Sequence, residues 1–174
     1  MAVSRLNHAV LYVRSVAKSV EFYQQVLDFK VLFSFPGAAF LQAPASNNDH
    51  DLGLFEIGDK AGASSAGRST VGLYHIAWEV ETLADLEVIA ERLKERRALV
   101  GASDHGTTKA IYAKDPDGIE FEVSWLVPAQ LIGDVEREGR KTIRPLDLER
   151  EKRRFGAGTR GGVGVSFPAA APVQ

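Results

Sequence analysis

Leu6-Asn7-His8-Ala9-Val10-Leu11-Tyr12-Val13 and Leu73-Tyr74-His75-Ile76-Ala77-Trp78-Glu79-Val80 are the two stretches on which the reading of this chain turns. Each is Leu-x-His followed by a mostly apolar run that closes on Val, and the histidines at 8 and 75 are 67 residues apart. Runs of this length and composition read as strands. A histidine at the same place in front of two similar strands predicts two modules related by pseudo-symmetry, each offering one imidazole to a shared centre. Imidazole is the commonest metal ligand, so a metal is the first hypothesis.

The bulk properties leave room for it. The 174 residues are 45% hydrophobic and 25% charged, with a net charge of −2. That is an ordinary globular balance, with no argument for nucleic acid or a membrane surface. There is no cysteine, so a metal must be held by nitrogen and oxygen. No apolar run approaches the ~20 residues that span a bilayer, and the N-terminus lacks an apolar signal-like core. The expected compartment is the cytoplasm.

Around the two phrases the same plan repeats. After the strand at residues 6–13, Ser15 can cap a helix whose apolar stripe is Val16, Val20, Tyr23 and Leu27. Strands follow at 29–35, 39–42 and 51–57. A Gly/Ala/Ser-rich connection, 58–70, leads to the second strand phrase. Thr82 with Asp85 can form a capping box for a helix with Leu83, Leu86, Ile89 or Ala90, and Leu93 on one face. Strands are expected at 97–100, 110–113 and 119–125. The last two are joined by Asp115-Pro116-Asp117-Gly118, which suits a type I turn. Modules at 5–57 and 72–126 thus make one domain, 1–127, and 128–174 is an extension. Its charged part, with a short helix near 146–151, reads as solvated, the alternative being an arm over the active site or a neighbouring subunit. Residues 156–174, rich in Gly, Ala and Pro, read as a poorly packed tail.

Two histidines undersupply a divalent metal. On the last strand Glu120 and Glu122 share one face, and a carboxylate on an apolar strand needs a positive partner. Two βαβββ modules, a first-strand His in each and Asp-Pro-Asp-Gly before a terminal Glu resemble the vicinal oxygen chelate superfamily. The resemblance covers residues 5–126. It implies an α+β fold in which the modules form one open, cup-shaped mixed β-barrel with a metal at its centre. In that family's pattern the ligand is the fourth residue after the turn glycine, here Glu122, giving His8, His75 and Glu122. The 67-residue offset puts the counterpart of Glu122 at Phe55, with Glu56 beside it as a candidate fourth ligand. Two histidines and one carboxylate with open positions are the set of non-haem Fe(II) oxygenases.

The remaining histidines resemble those of the one-domain type I extradiol dioxygenases. His50 stands where that family has its acid/base, His105 where it has a loop histidine contacting a catechol oxygen, and Tyr112 where a tyrosine bonds the substrate oxygen. Departures are Asp104 before His105 in place of arginine, Ile119 after the turn glycine in place of Asn, and Arg14 after the first strand in place of Asp. The implied function is extradiol ring cleavage of a catechol-type substrate by O₂ with Fe(II), or Mn(II), in aromatic catabolism, by a homo-oligomer of two or more copies. The alternatives are a divalent-metal isomerase or lyase of glyoxalase or epimerase type, and a non-catalytic small-molecule binder.

Overall fold

The computed structural model describes residues 2–3, 5–66 and 69–162. The chain divides into two compact units: residues up to Ser65 together with Asp115–Ile119, and Ala66–Lys114 together with the chain from Glu120. The fold is mixed α+β, with one open sheet in each unit.

In the first unit the elements are β1 (Ala9–Val13), α1 (Val16–Leu27), β2 (Lys30–Phe35), β3 (Ala38–Gln42) and β4 (Leu52–Glu56). The strand order is β1-β4-β3-β2, with β1 and β4 parallel and the other neighbours antiparallel. Leu11, Val13, Leu41, Leu52 and Leu54 are buried, and α1 packs on β3 and β4. Ser15 starts α1 by accepting from the Lys18 N–H. The buried stripe is Ser19, Phe22, Tyr23, Val26 and Leu27, turned from the expected one, so that Val16 and Val20 lie at its margin. Each fully buried aliphatic or aromatic side chain contributes roughly 1.5–3 kcal/mol.

The second unit repeats the order with β5 (Ile76–Glu79), α2 (Leu83–Glu95), β6 (Leu99–Asp104), β7 (Thr108–Lys114) and β8 (Glu120–Leu126). Thr82 and Asp85 form the expected capping box, and Leu83, Leu86, Ala90 and Leu93 are the buried stripe. Strand β6 starts later than expected, because Arg97 adopts a left-handed turn with φ 55° after the helix. The Asp115–Gly118 turn closes with the Gly118 N–H donating to the Asp115 carbonyl at 2.9 Å. Gly118 takes φ +83°, which suits glycine best.

The extension is structured through residue 162. It forms a 3₁₀ turn (Ala129–Leu131), α3 (Asp134–Gly139), β9 (Arg144–Pro145) and α4 (Leu148–Phe155). Strand β9 joins the sheet edge, giving the order β5-β8-β7-β6-β9, and α4 packs on α2. The expectation of a solvated segment fails because its charges find buried partners. Lys109 Nζ, fully buried, lies 2.5 Å from Asp104 and 3.0 Å from Glu151, both themselves buried. Arg154 joins Glu151 at 2.9 Å and Glu136 at 2.5 Å. The first part of the expected loose tail is packed too. The Trp125 indole N–H donates to the Thr159 carbonyl at 3.1 Å, and the Gly161 N–H donates to the Glu81 carbonyl. A side chain at Gly161 would collide with Leu126 and Trp125. The rest of that tail, residues 163–174, lies outside the described residues. Among the described residues no helix is long and apolar enough to cross a membrane.

Removing one member of a buried charge cluster leaves the others uncompensated, at a cost of about 3–5 kcal/mol. Lys109→Ala is therefore expected to lower the free energy of urea unfolding by that amount. A loss of less than about 1 kcal/mol would show the cluster to be solvated.

Candidate active site

Strand register decides which side chains share a face. In the second unit β5 and β8 pair with Ala77 opposite Glu122, two residues beyond His75. Across the antiparallel ladder Glu122 is opposite Tyr112. His75, Glu122 and Tyr112 thereby converge. His75 Nε2 lies 3.4 Å from Glu122 Oε2, and the rings of His75 and Tyr112 are centred 5.9 Å apart. His105 Nε2 reaches the Tyr112 hydroxyl at 2.9 Å. Four of the six expected site residues thus form one connected group.

Burial pushes the Tyr112 phenol up to about 12, reinforced by the charge of Glu122 and a hydrogen bond to it. The phenol therefore stays neutral at ordinary pH and donates to the Glu122 carboxylate. The Nε2–H tautomer of His105 then donates to the phenol oxygen. His75 is less well served. Its Nδ1 is buried without a hydrogen-bond partner, and 3.4 Å to Glu122 is longer than a good hydrogen bond. Nitrogen and oxygen ligands bind a divalent metal at about 2.0–2.2 Å, which sets neighbouring donors roughly 3 Å apart. The pair fits two ligands of one ion better than an ion pair.

The first unit holds the other two histidines. His8 and His50 have ring centroids 4.4 Å apart. His8 Nδ1 pairs with the Asn7 side-chain oxygen at 2.7 Å, and His50 Nδ1 with Asp49 at 2.8 Å. The loop carrying His50 is fixed by residues the sequence reading passed over. Asp51 accepts from the Ala43 N–H, the Ser46 hydroxyl and the Asn48 amide, and Asn48 also donates to the Asn7 carbonyl. Their signal was the Ser/Asn/Asp cluster of the loop, whose side chains bond nearby backbone. The edge of His50 meets Phe40, which stacks on Phe33 at 4.4 Å.

The place corresponding to Glu122 differs from the expected one. Val10 stands two residues after His8, as Ala77 does after His75, and Val10 pairs with Gly53. The counterpart of Glu122 is therefore Gly53, not Phe55. The second module has two extra residues between its first and last strands. A Cβ on Gly53 would lie 3.3 Å from Val10 and 3.5 Å from Phe40. Glu56 alternates onto the same face as Leu52 and Leu54, and its carboxylate accepts from the Val16 N–H at the start of α1, at 2.9 Å. It adds to the Ser15 cap at the start of α1.

The departures at Arg14 and Asp104 also have structural partners. Arg14 pairs with Asp117 at 2.8 Å, and Asp115 accepts from the Tyr23 hydroxyl and from the N–H groups of Asp117 and Ile119. Asp104 is buried in the Lys109 cluster. Glu120 pairs across the ladder with Lys114. Among the described residues no three His, Asp or Glu side chains are gathered closely enough to form a complete metal cup; the pair His75–Glu122 is formed within the second unit.

The profile of the glyoxalase/bleomycin resistance protein/dioxygenase superfamily matches residues 5–123. Catechol-2,3-dioxygenase of Bacillus subtilis (strain 168) is 32% identical over 120 residues, covering 69% of this chain and 41% of that protein. The chain thus spans about two fifths of that relative. Lactoylglutathione lyase of Neisseria meningitidis is 30% identical over 136 residues, covering 68% of this chain and 88% of that protein. A crystal structure of a glyoxylase/bleomycin resistance protein/dioxygenase domain from Frankia sp. EAN1pec superposes with a TM-score of 0.59 at 25% identity, covering 72% of this chain and all of that one.

The raised phenols of Tyr112 and Tyr23 favour the folded state below the usual tyrosine value near 10. That contribution is lost as pH rises from there through the folded values. The thermal midpoint is expected to fall between pH 10 and about 12, and Tyr112→Phe to flatten part of the fall. A profile identical in the variant would show that Tyr112 titrates as a free phenol.

Proposed function

Given that the chain belongs to the glyoxalase/bleomycin resistance protein/dioxygenase superfamily, we propose that it is an extradiol dioxygenase opening catechol-type rings with O₂. Its metal ligands are His8, His75 and Glu122, the metal Fe(II), with Mn(II) as the alternative. The observation that carries this reading is Gly53 at the register position matching Glu122. A set of two histidines and one carboxylate leaves positions open for a chelating diol and O₂. A glyoxalase-type lyase or isomerase, the reading the Neisseria relative favours, calls for a fourth protein ligand. Gly53 has no donor, and Glu56 lies on the opposite face of β4, with one carboxylate oxygen on the Val16 N–H.

When bound, the divalent metal supplies charge that favours the diol as its anion and a redox path between diol and O₂. The protein groups do the rest. The Nδ1–H of His8 donates to Asn7, which leaves Nε2 as the ligating nitrogen. His50 donates its Nδ1–H to Asp49, which leaves Nε2 as the proton acceptor. It takes a proton from the diol and returns it to the opening ring. Tyr112 and His105 are the groups that contact the substrate oxygens, their donors turning to the bound diol from the Glu122 and Tyr112 oxygens they reach in its absence. Phe33 and Phe40 offer an apolar surface beside His50.

The test is anaerobic purification with Fe(II), followed by O₂ uptake and coloured ring-cleavage product with a panel of catechols. Isomerase activity supported by Ni, Zn or Mn, without O₂ uptake, would overturn the reading. Glu122→Ala should lose bound iron. His50→Ala should keep iron and lose turnover by about 10²–10⁴-fold, the usual scale of acid–base catalysis; unchanged turnover would remove His50 from the reaction.

A further inference from the structure

We propose that the C-terminal extension, residues 134–155, positions the His105 imidazole from behind, with Arg144, Asp104 and the seat of Gly139 on Gly106 as the positioning contacts. The inference rests on the reading of His105 as a substrate contact, and it concerns a segment beyond residue 123, where the family match ends.

His105 sits on a short reversal between β6 and β7, closed by its N–H donating to the Thr108 carbonyl at 2.9 Å and by the Thr107 N–H donating back to the His105 carbonyl. Asp104, the residue before it, turns inward. Its carboxylate accepts from the Gly106 N–H at 2.8 Å, from Lys109 and, at 3.1 Å, from Arg144. Burial alone would raise the Asp104 carboxyl, yet these donors outweigh it and hold it below the usual value. Both flanks of His105 are thereby tied to one carboxylate, and that carboxylate is tied to the extension.

Three contacts make the tie. Strand β9 pairs with the end of β6, setting Arg144 opposite Asp104 and Pro145 opposite Ser103. Glu151 of α4 holds the far side of Lys109, and Arg154 links Glu151 to Glu136 of α3. Helix α3 lies directly on the loop. Gly106, at φ +76°, has no room for a side chain against the Glu136 carbonyl and the backbone of Gly139 and Arg140, and a Cβ on Gly139 would come within 2.8 Å of the Gly106 Cα. Backbone pressed on backbone leaves the loop little freedom to shift. The hydrogen bond from His105 to Tyr112 therefore depends on segments distant in sequence and outside the repeat.

The test uses metal-free full-length protein labelled with ¹⁵N-histidine. Tyr112→Phe gives the His105 ring signals with the bond absent. Arg144→Gln, at a half-exposed side chain, leaves Asp104 its other two donors and should fold. Its His105 signals are expected to move toward those of Tyr112→Phe, and Arg144→Lys to return them. Gly139→Ala, which lifts α3 from the loop, should move them the same way. In the iron-loaded enzyme Arg144→Gln should raise KM for a catechol about tenfold, on the scale of small misplacements of a contact group, with a smaller effect on kcat. A merely stabilising extension would lower the melting temperature and leave the ring signals in place. His105 signals unchanged in both folded variants overturn the proposal. Shifted signals in a protein that consumes no O₂ with any catechol sustain the positioning role and sink the dioxygenase reading.

Discussion

The parallel pairing of first and last strands within each module is the constraint on which the rest depends. Parallel strands cannot be joined by a tight turn, and each module fills the crossover with its helix and two further strands. That detour gives each module its βαβββ order, with β1 beside β4 and β5 beside β8. It also brings a residue near the start of one strand beside a residue on another strand more than forty positions away. Glu122 meets His75 for this reason alone, and Tyr112 follows because β7 is the other neighbour of β8.

The same constraint explains what could be read from the chain directly. The repeated Leu-x-His phrases, the Thr82–Asp85 box and the Asp115–Gly118 turn are local patterns, and each appears in the structure where its residues stand. His75, Glu122, Tyr112 and His105 were legible as candidates because the family pattern carries their spacing. Gly53 was not, since a constant offset between modules ignores the two residues gained in the second. Only the ladder aligns Val10–Gly53 with Ala77–Glu122. The loop ties through Asp51 and Asn48 were likewise hidden: polar loop residues reveal that they bond backbone, not which backbone.

The extension was the least legible part. Its alternating charges look like a solvated surface, and most such charges are. What distinguishes Glu151 and Glu136 is that their partners, Lys109 and Arg154, lie on other elements, one of them on an apolar strand. Lys109 is the residue whose position carried the warning. A lysine at the start of β7, beside the apolar Ala110-Ile111, is buried at high cost unless carboxylates come to it, and here one comes from its own sheet and one from α4.

Gly53 also limits how freely its sheet can be altered beside His50. Val10 and Phe40 border the space a side chain would take there, at 3.3 and 3.5 Å from a Cβ. A side chain added there would press on Val10, which must give by a few tenths of an ångström, and would lie in ordinary contact with Phe40, whose ring in turn meets His50. A substitution at Gly53 would therefore be felt in the aromatic packing around His50 as well as on the ladder opposite Val10.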